Sequence, residues 1–153
     1  MGQFVGTRTD EQADAFRLAN MVVGGQFIAR INMNLREDKG WTYGAWSWIG
    51  HNHMPGLFGS VSSVVTPHTA EAISEILSEL EGPFEAKPLT AEELEAGRGN
   101  LLGEWPLKFE NPDYLLDRTV EVRRYDLPDD WLKTAPVSYT HLTLPTKWLV
   151  LLW

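Results

Sequence analysis

Cysteine is absent from the 153 residues, which removes disulfide frameworks, thiolate zinc sites and cysteine nucleophiles while leaving the redox compartment open. Positive charge is scarce: 13 Lys and Arg stand against 21 Asp and Glu, for a formal net charge of -8. Phosphate backbones are held by cations, so this balance argues against nucleic acid as a partner. Long apolar runs are missing too. None approaches the roughly 18 to 20 residues of a membrane span, and the N-terminus lacks the basic-then-apolar layout of a signal peptide, so no membrane partner is expected. Met1-Gly2 opens like a myristoylation signal, but Gly6 stands where Ser or Thr is needed. What remains is ordinary in composition, 43% hydrophobic and 22% charged, which excludes disordered, collagenous and coiled-coil chains. The length suits one domain or a piece of one.

The last stretch stands apart. Val137-Ser-Tyr-Thr-His-Leu-Thr-Leu-Pro-Thr146 reverse-translates to GTC TCT TAT ACA CAT CTG ACG CTG CCG ACG, which resembles the transposon-end adapter ligated to DNA fragments for short-read sequencing. A strand reading fits the propensities of Tyr139, Thr140, Leu142 and Leu144 but leaves the unbroken adapter match unexplained. Residues 137–153 are therefore read as a non-native tail that adds nothing to the fold, and residues 1–136 as a domain fragment whose natural C-terminus lies further on. His141 and Trp148 carry no meaning on this reading.

Along the chain, Thr9 or Asp10 is expected to cap a first helix to about Val23, with Ala15, Leu18, Met21 and Val22 on one face. Gly24-Gly25 breaks it. A second helix from Gln26 to about Arg36 sets Phe27, Ile31 and Leu35 four apart, and Lys39-Gly40 is its stop signal. Trp41 to Ile49 and Leu57 to Val65 are aromatic and β-branched, with Asn52, Pro55 and Gly56 between them, and read as an antiparallel hairpin. Thr66-Pro67 opens a third helix with Ile73, Ile76, Leu77 and Leu80 inward. Thr90-Ala-Glu-Glu93 is a capping box for a fourth, ended at about Trp105 by Pro106. Asn111-Pro112 begins a fifth, with Leu115, Leu116, Thr119 and Val122 inward, and Pro128 to Trp131 starts a sixth. This order is α+β, with helices packed on one face of a mainly antiparallel sheet. Two strands make a poor sheet, so Gly2 to Gly6 is read as the stub of a third, and the unit as incomplete at both ends.

Few motifs carry chemistry. His51 and His53 would share a strand face and could begin a zinc site, but a third ligand is missing and the plainer reading is solvated turn histidines. Gly97, Gly99 and Gly103 resemble a phosphate loop, yet they sit inside a helix, where glycine lets a neighbour pack close. Glu92, Glu93 and Glu95 are a helix N-terminus favoured by the macrodipole. No catalytic residue and no metal ligand set is assigned. One pair stands out: Arg36 ends the second helix and Tyr43 opens the next strand, seven positions on, so adjacent elements supply a guanidinium fork and a phenol suited to carbonyl oxygens. Spacing alone also fits a helix C-terminal arginine and a core tyrosine.

Asn20-Met-Val-Val-Gly-Gly25, Arg30-Ile-Asn-Met-Asn-Leu-Arg-Glu37, Lys39-Gly-Trp-Thr-Tyr-Gly44, Pro88-Leu-Thr-Ala-Glu-Glu-Leu94 and Phe109-Glu110 together resemble the C-terminal, non-zinc-binding domain of the pitrilysin and insulinase (M16-like) zinc metallopeptidases. The likeness spans most of Thr9 to Trp131. It implies a LuxS/MPP-like metallohydrolase unit and a clamshell of paired halves: one holds zinc through H-x-x-E-H, and the other contributes an Arg and a Tyr to substrate binding. Those two map to Arg36 and Tyr43. The resemblance further implies a peptide substrate, no cofactor in this fragment, and zinc in a partner half, in the same chain or a second subunit. A noncatalytic assembly subunit of the same fold is the alternative, and a small-molecule pocket lined by tryptophans a third. The residues fix no compartment; the resemblance points to the bacterial periplasm.

Overall fold

The computed structural model describes residues 2–50, 55–84 and 86–141. The elements run β1 (Gly2–Val5), α1 (Ala13–Val23), α2 (Arg30–Asn32) passing directly into a π-helix (Met33–Asp38), β2 (Thr42–Gly50), β3 (Gly56–Val64), α3 (Thr69–Glu81) entered through a short 3-10 turn, α4 (Ala91–Lys108), α5 (Pro112–Arg124) and α6 (Trp131–His141). The three strands form one antiparallel sheet in the order β1-β3-β2, so the stub at the N-terminus is a strand, and the fold is α+β as read.

Strand alternation gives the sheet two unlike faces. Ala45, Ser47 and Ser60 face the helices and are buried, while Phe4, Trp46, Trp48, Leu57 and Val61 are exposed. Helix α1 buries Leu18, Met21, Val22 and Val23 and ends where Gly24 meets β2. A Cβ on Gly24 would lie 2.2 Å from Ser47 Oγ, so only glycine admits this approach. It allows the Ser47 N–H to donate to Gly24 O at 2.8 Å. Asn20 Nδ2 donates to Ser47 O at 3.3 Å and Asn32 Oδ1 accepts the Ala45 N–H at 3.0 Å. The middle of the outer edge of β2 is thus closed by groups that are not a strand, one of the ways natural sheets protect an edge. The outer edge of β1 carries no partner strand among the described residues.

Three clusters fill the interior. Val23, Ile31, Leu35, Ala45 and Ala72 join the sheet to α2 and α3; Leu18, Met21, Leu101 and Tyr139 join α1, α4 and α6; Val122, Trp131 and Ala135 join α5 and α6.

Several expectations shift. The second helix starts at Arg30, because Ala29 is extended (φ -68, ψ 153); Phe27 therefore precedes the helix and is 52% exposed, while Ile31 and Leu35 are fully buried. On α3 the inward face is Ala72 and Glu79 with Ile76 and Leu80 packed beside them, and Ile73 and Leu77 point outward. Helix α5 turns Leu115 and Leu116 out, keeping Val122 in, because its inner face carries the Glu121 carboxylate that accepts Arg8 Nε at 2.8 Å. Helix α4 continues through Pro106 to Lys108, where Trp105 packs edge-on against Phe109 and Trp131. Lastly, α6 runs past residue 136 to His141. Trp131, Ala135 and Tyr139 fall four apart on one buried stripe, so the first residues of the stretch read as a tail lie within the packed fold.

Candidate functional site

Arg36 lies in the last turn of the π-helix. There the Lys39 N–H reaches back five residues to Asn34 O at 3.1 Å, the wide-turn geometry that recurs at functional positions. Gly40 then takes φ +65, the left-handed conformation glycine adopts freely, and the Trp41 N–H closes on Leu35 O at 2.9 Å. This is the stop signal expected of Lys39-Gly40. The Arg36 guanidinium carbon sits 4.4 Å over the Phe27 ring, and Nη1 lies 2.9 Å from Glu37 Oε1. That contact is an ion pair without hydrogen-bond geometry: Nη1 is buried and makes no hydrogen bond among the described residues.

Tyr43 is presented differently. Between Thr42, which pairs with Val64, and Ala45, which pairs with Ser62, β2 carries one residue more than β3. That β-bulge re-aims the side chain inside it, and Tyr43 is 99% exposed, its hydroxyl free of partners among the described residues. The bulge is held from within: the Thr42 hydroxyl accepts the Gly44 N–H at 3.1 Å and stands 2.7 Å from Ser63 O, and the Ser62 hydroxyl lies 3.0 Å from Gly44 O. A turn of wide helix, a left-handed glycine and a bulged strand thus place the guanidinium and the phenol on adjacent elements, Arg36 half-buried against Phe27 and Tyr43 exposed. Both groups can donate hydrogen bonds to an oxygen and stabilise negative charge on it.

The other sequence candidates fare as follows. His51 and His53 lie outside the described residues. His68 stacks on Trp41 at 4.7 Å, and among the described residues no three His, Cys, Asp or Glu side chains come together to hold a metal ion. Gly97, Gly99 and Gly103 are in α4. Gly97 faces Val22, Leu18 and Met21 of α1, whereas Gly99 and Gly103 face open space, so the close-packing reading holds for the first alone. Glu93 completes the capping box with Thr90 and also grips Arg30 through both oxygens, at 2.7 and 2.6 Å. The Arg30 hydrogen bonds hold its carboxyl down to about 2, against the opposing pull of burial. An open cavity of about 320 Å³ beside α3 is lined by Ser74, Ser78, Glu81 and Lys87 among others, with no tryptophan.

The family model for the peptidase M16 inactive domain matches residues 1–101. The chain belongs to the M16 peptidases, as their inactive domain. Solved structures agree on the fold. The M16 inactive domain matches a peptidase M16 inactive domain from Pseudomonas fluorescens with TM-score 0.81 at 22% identity, over 94% of this chain and 34% of that one. It matches a protease from Helicobacter pylori with TM-score 0.81 at 17% identity, again over 94% and 34%. A Bordetella pertussis chain described as a candidate zinc protease gives TM-score 0.72 at 18% identity, over 94% and 78%. At these identities the likeness is one of fold, and the chain spans about a third of the length of the first of these relatives. No curated protein matches the sequence.

Sequence reasoning missed the surroundings of Arg36 in this M16 inactive domain: the Phe27 ring beneath it, and the buried Asn32 that binds Phe27 O and the Ala45 N–H. The one signal available was a polar residue between Ile31 and Leu35 on an otherwise apolar stripe, since a buried polar group requires partners.

Proposed function

We propose that this chain is the substrate-binding, non-catalytic half of a zinc metalloendopeptidase, holding an extended peptide while a zinc-bearing M16-like half, in the same chain or in a second subunit, supplies the metal and its hydrolytic chemistry. The observation that supports it is the presentation of the two side chains: Tyr43 stands fully exposed on a bulge, and Arg36, on the element before it, has no hydrogen-bonded partner for its buried Nη1 among the described residues. A core tyrosine or a dipole-capping arginine would need neither feature. On this reading Arg36 and Tyr43 donate to a substrate carbonyl near the scissile bond, and the Phe27 ring orients the guanidinium beforehand, so that charge developing on that oxygen meets donors already in place.

The test is to join the chain to its zinc half and measure peptide hydrolysis. Arg36→Ala and Tyr43→Phe should each reduce it about 10- to 1000-fold, the range for removing a donor to developing negative charge. Loss in kcat and kcat/KM together marks a transition-state contact; a rise in KM alone marks uniform binding. Arg36→Lys keeps the charge and loses the planar fork. Full activity in both single variants would leave the assembly-subunit reading in possession. We further propose that residues 137–153 are of adapter origin, on the strength of the codon match; genomic DNA read across codon 136 decides it.

A further inference from the structure

We infer that Asn32 is the positioning residue of the Arg36 and Tyr43 pair, an inference that rests on the reading of those two side chains as substrate contacts. Asn32 is fully buried at the junction where α2 passes into the π-helix. Its Nδ2 donates to Phe27 O at 2.6 Å and its Oδ1 accepts the Ala45 N–H at 3.0 Å. A backbone carbonyl only accepts and a backbone N–H only donates, so these partners fix the orientation of the amide. Each contact leads to the site. Phe27 carries the ring on which the Arg36 guanidinium rests at 4.4 Å; Asn32 itself stands one turn before Arg36; and Ala45 closes the bulge that projects Tyr43. One buried amide therefore ties the platform, the helix and the strand together. Local elements hold each side chain, Thr42 in the case of Tyr43, but Asn32 spans both.

The test uses the chain joined to its zinc half and fluorescein-labelled casein as probe. Asn32→Asp keeps the acceptor toward Ala45 and loses the donor toward Phe27. Misplacement of this kind should reduce kcat/KM about 10- to 100-fold. Because Asp keeps the Ala45 contact that leads to Tyr43 and breaks only the Phe27 contact that leads to Arg36, the double variant Asn32→Asp/Arg36→Ala should be no worse than Arg36→Ala alone. Additive losses, or full activity of Asn32→Asp beside an impaired Arg36→Ala, overturn the positioning role and leave the substrate contacts standing. If Asn32→Asp does not fold, Asn32→Ser, uncharged and too short to reach both partners, takes its place; a loss in kcat/KM that is smaller in the Arg36→Ala background than alone supports the inference, and an additive or absent loss overturns it. If Arg36→Ala and Tyr43→Phe are themselves fully active, the substrate reading falls. The positioning role then stands or falls on the Arg36 Nε–H resonance of this chain: displaced in the variant by loss of the Phe27 ring current it is upheld, unmoved it is refuted.

Discussion

Among the described residues, the arginine and tyrosine at the helical end and those near the start of β2 have opposite fates. At the helical end, Arg17 donates to the Tyr139 hydroxyl at 3.1 Å with its guanidinium 5.8 Å over the ring. Tyr139 lies 3.4 Å from Asp14 Oδ1, and the Ser138 hydroxyl donates to the same carboxylate at 2.8 Å. Burial pushes the Tyr139 hydroxyl above its ordinary pKa, so it stays a neutral donor and acceptor. Near the start of β2, Arg36 and Tyr43 have the same chemistry and neither touches the other. The first pair is committed inward and acts as structure; in the second, Tyr43 is turned outward and Arg36 rests half-buried on Phe27. Residue types alone do not separate the two. What separates them is which hydrogen-bonding groups remain without partners once the chain has folded.

Breaking the inward pair should give the largest effect. Tyr139→Ala empties a site in the cluster of Leu18, Met21 and Leu101 and should cost about 3 to 5 kcal/mol, as aromatic deletions do. Urea unfolding measures it, and a midpoint equal to wild type would show that α6 is not docked as described. By the same argument, ending the chain after His141 should preserve stability that ending it after Pro136 removes. Arg36→Ala, next in size, inverts the pattern. Hydrolysis in the rebuilt enzyme should fall 10- to 1000-fold while the melting temperature holds, and a collapse in melting temperature would make the two pairs alike.

Arg30 and Glu93 sharpen the comparison, since they too are committed, linking α2 to the start of α4. The folded carboxyl is held at about 2, below its usual 4.5. Its contribution is therefore complete above about pH 4.5 and is lost as pH falls toward 2. Glu93→Gln should flatten the urea midpoint across that window, at a cost on the order of 1 to 2 kcal/mol at neutral pH; an unchanged acid slope would refute the assignment. The smallest effect repeats the contrast within one helix. Gly99→Ala and Gly103→Ala enter open space and should each stabilise by up to about 1 kcal/mol. Gly97→Ala, which meets Val22 at 3.4 Å, should gain less in the same denaturation series.

Much of this was legible from local pattern. The order of elements, the α1 face, the Gly40 stop and the Thr90 box each depend on residues within a turn or two of one another. Features set by distant groups were not. Leu115 and Leu116 look inward by period, but Arg8 lies across from α5 and draws Glu121 to the inner side, a pairing between residues 113 apart that no local pattern contains. Ile73 and Leu77 fail in the same way, since Glu79 is turned inward by Asn34 Nδ2 at 3.0 Å and Lys87 Nζ at 2.8 Å. At the site, the spacing of Arg36 and Tyr43 was readable, but their presentation was not: a π-turn and a bulge are choices of hydrogen-bond register, for which residue propensity gives almost no signal.

The closed edge of β2 has a consequence for stoichiometry. Strand-to-strand self-assembly into a fibre requires two adhesive edges on each copy, so that every addition exposes another. Here Gly24, Asn20 and Asn32 occupy the middle of one edge, and the outer edge of β1 is the open one among the described residues. Two copies meeting β1 against β1 would form a single six-stranded sheet about a twofold axis, and both open edges would be consumed in making it. Association through these two edges would therefore end at a pair, and rising concentration should yield a saturating dimer where a molecule with two bare edges would grow without limit.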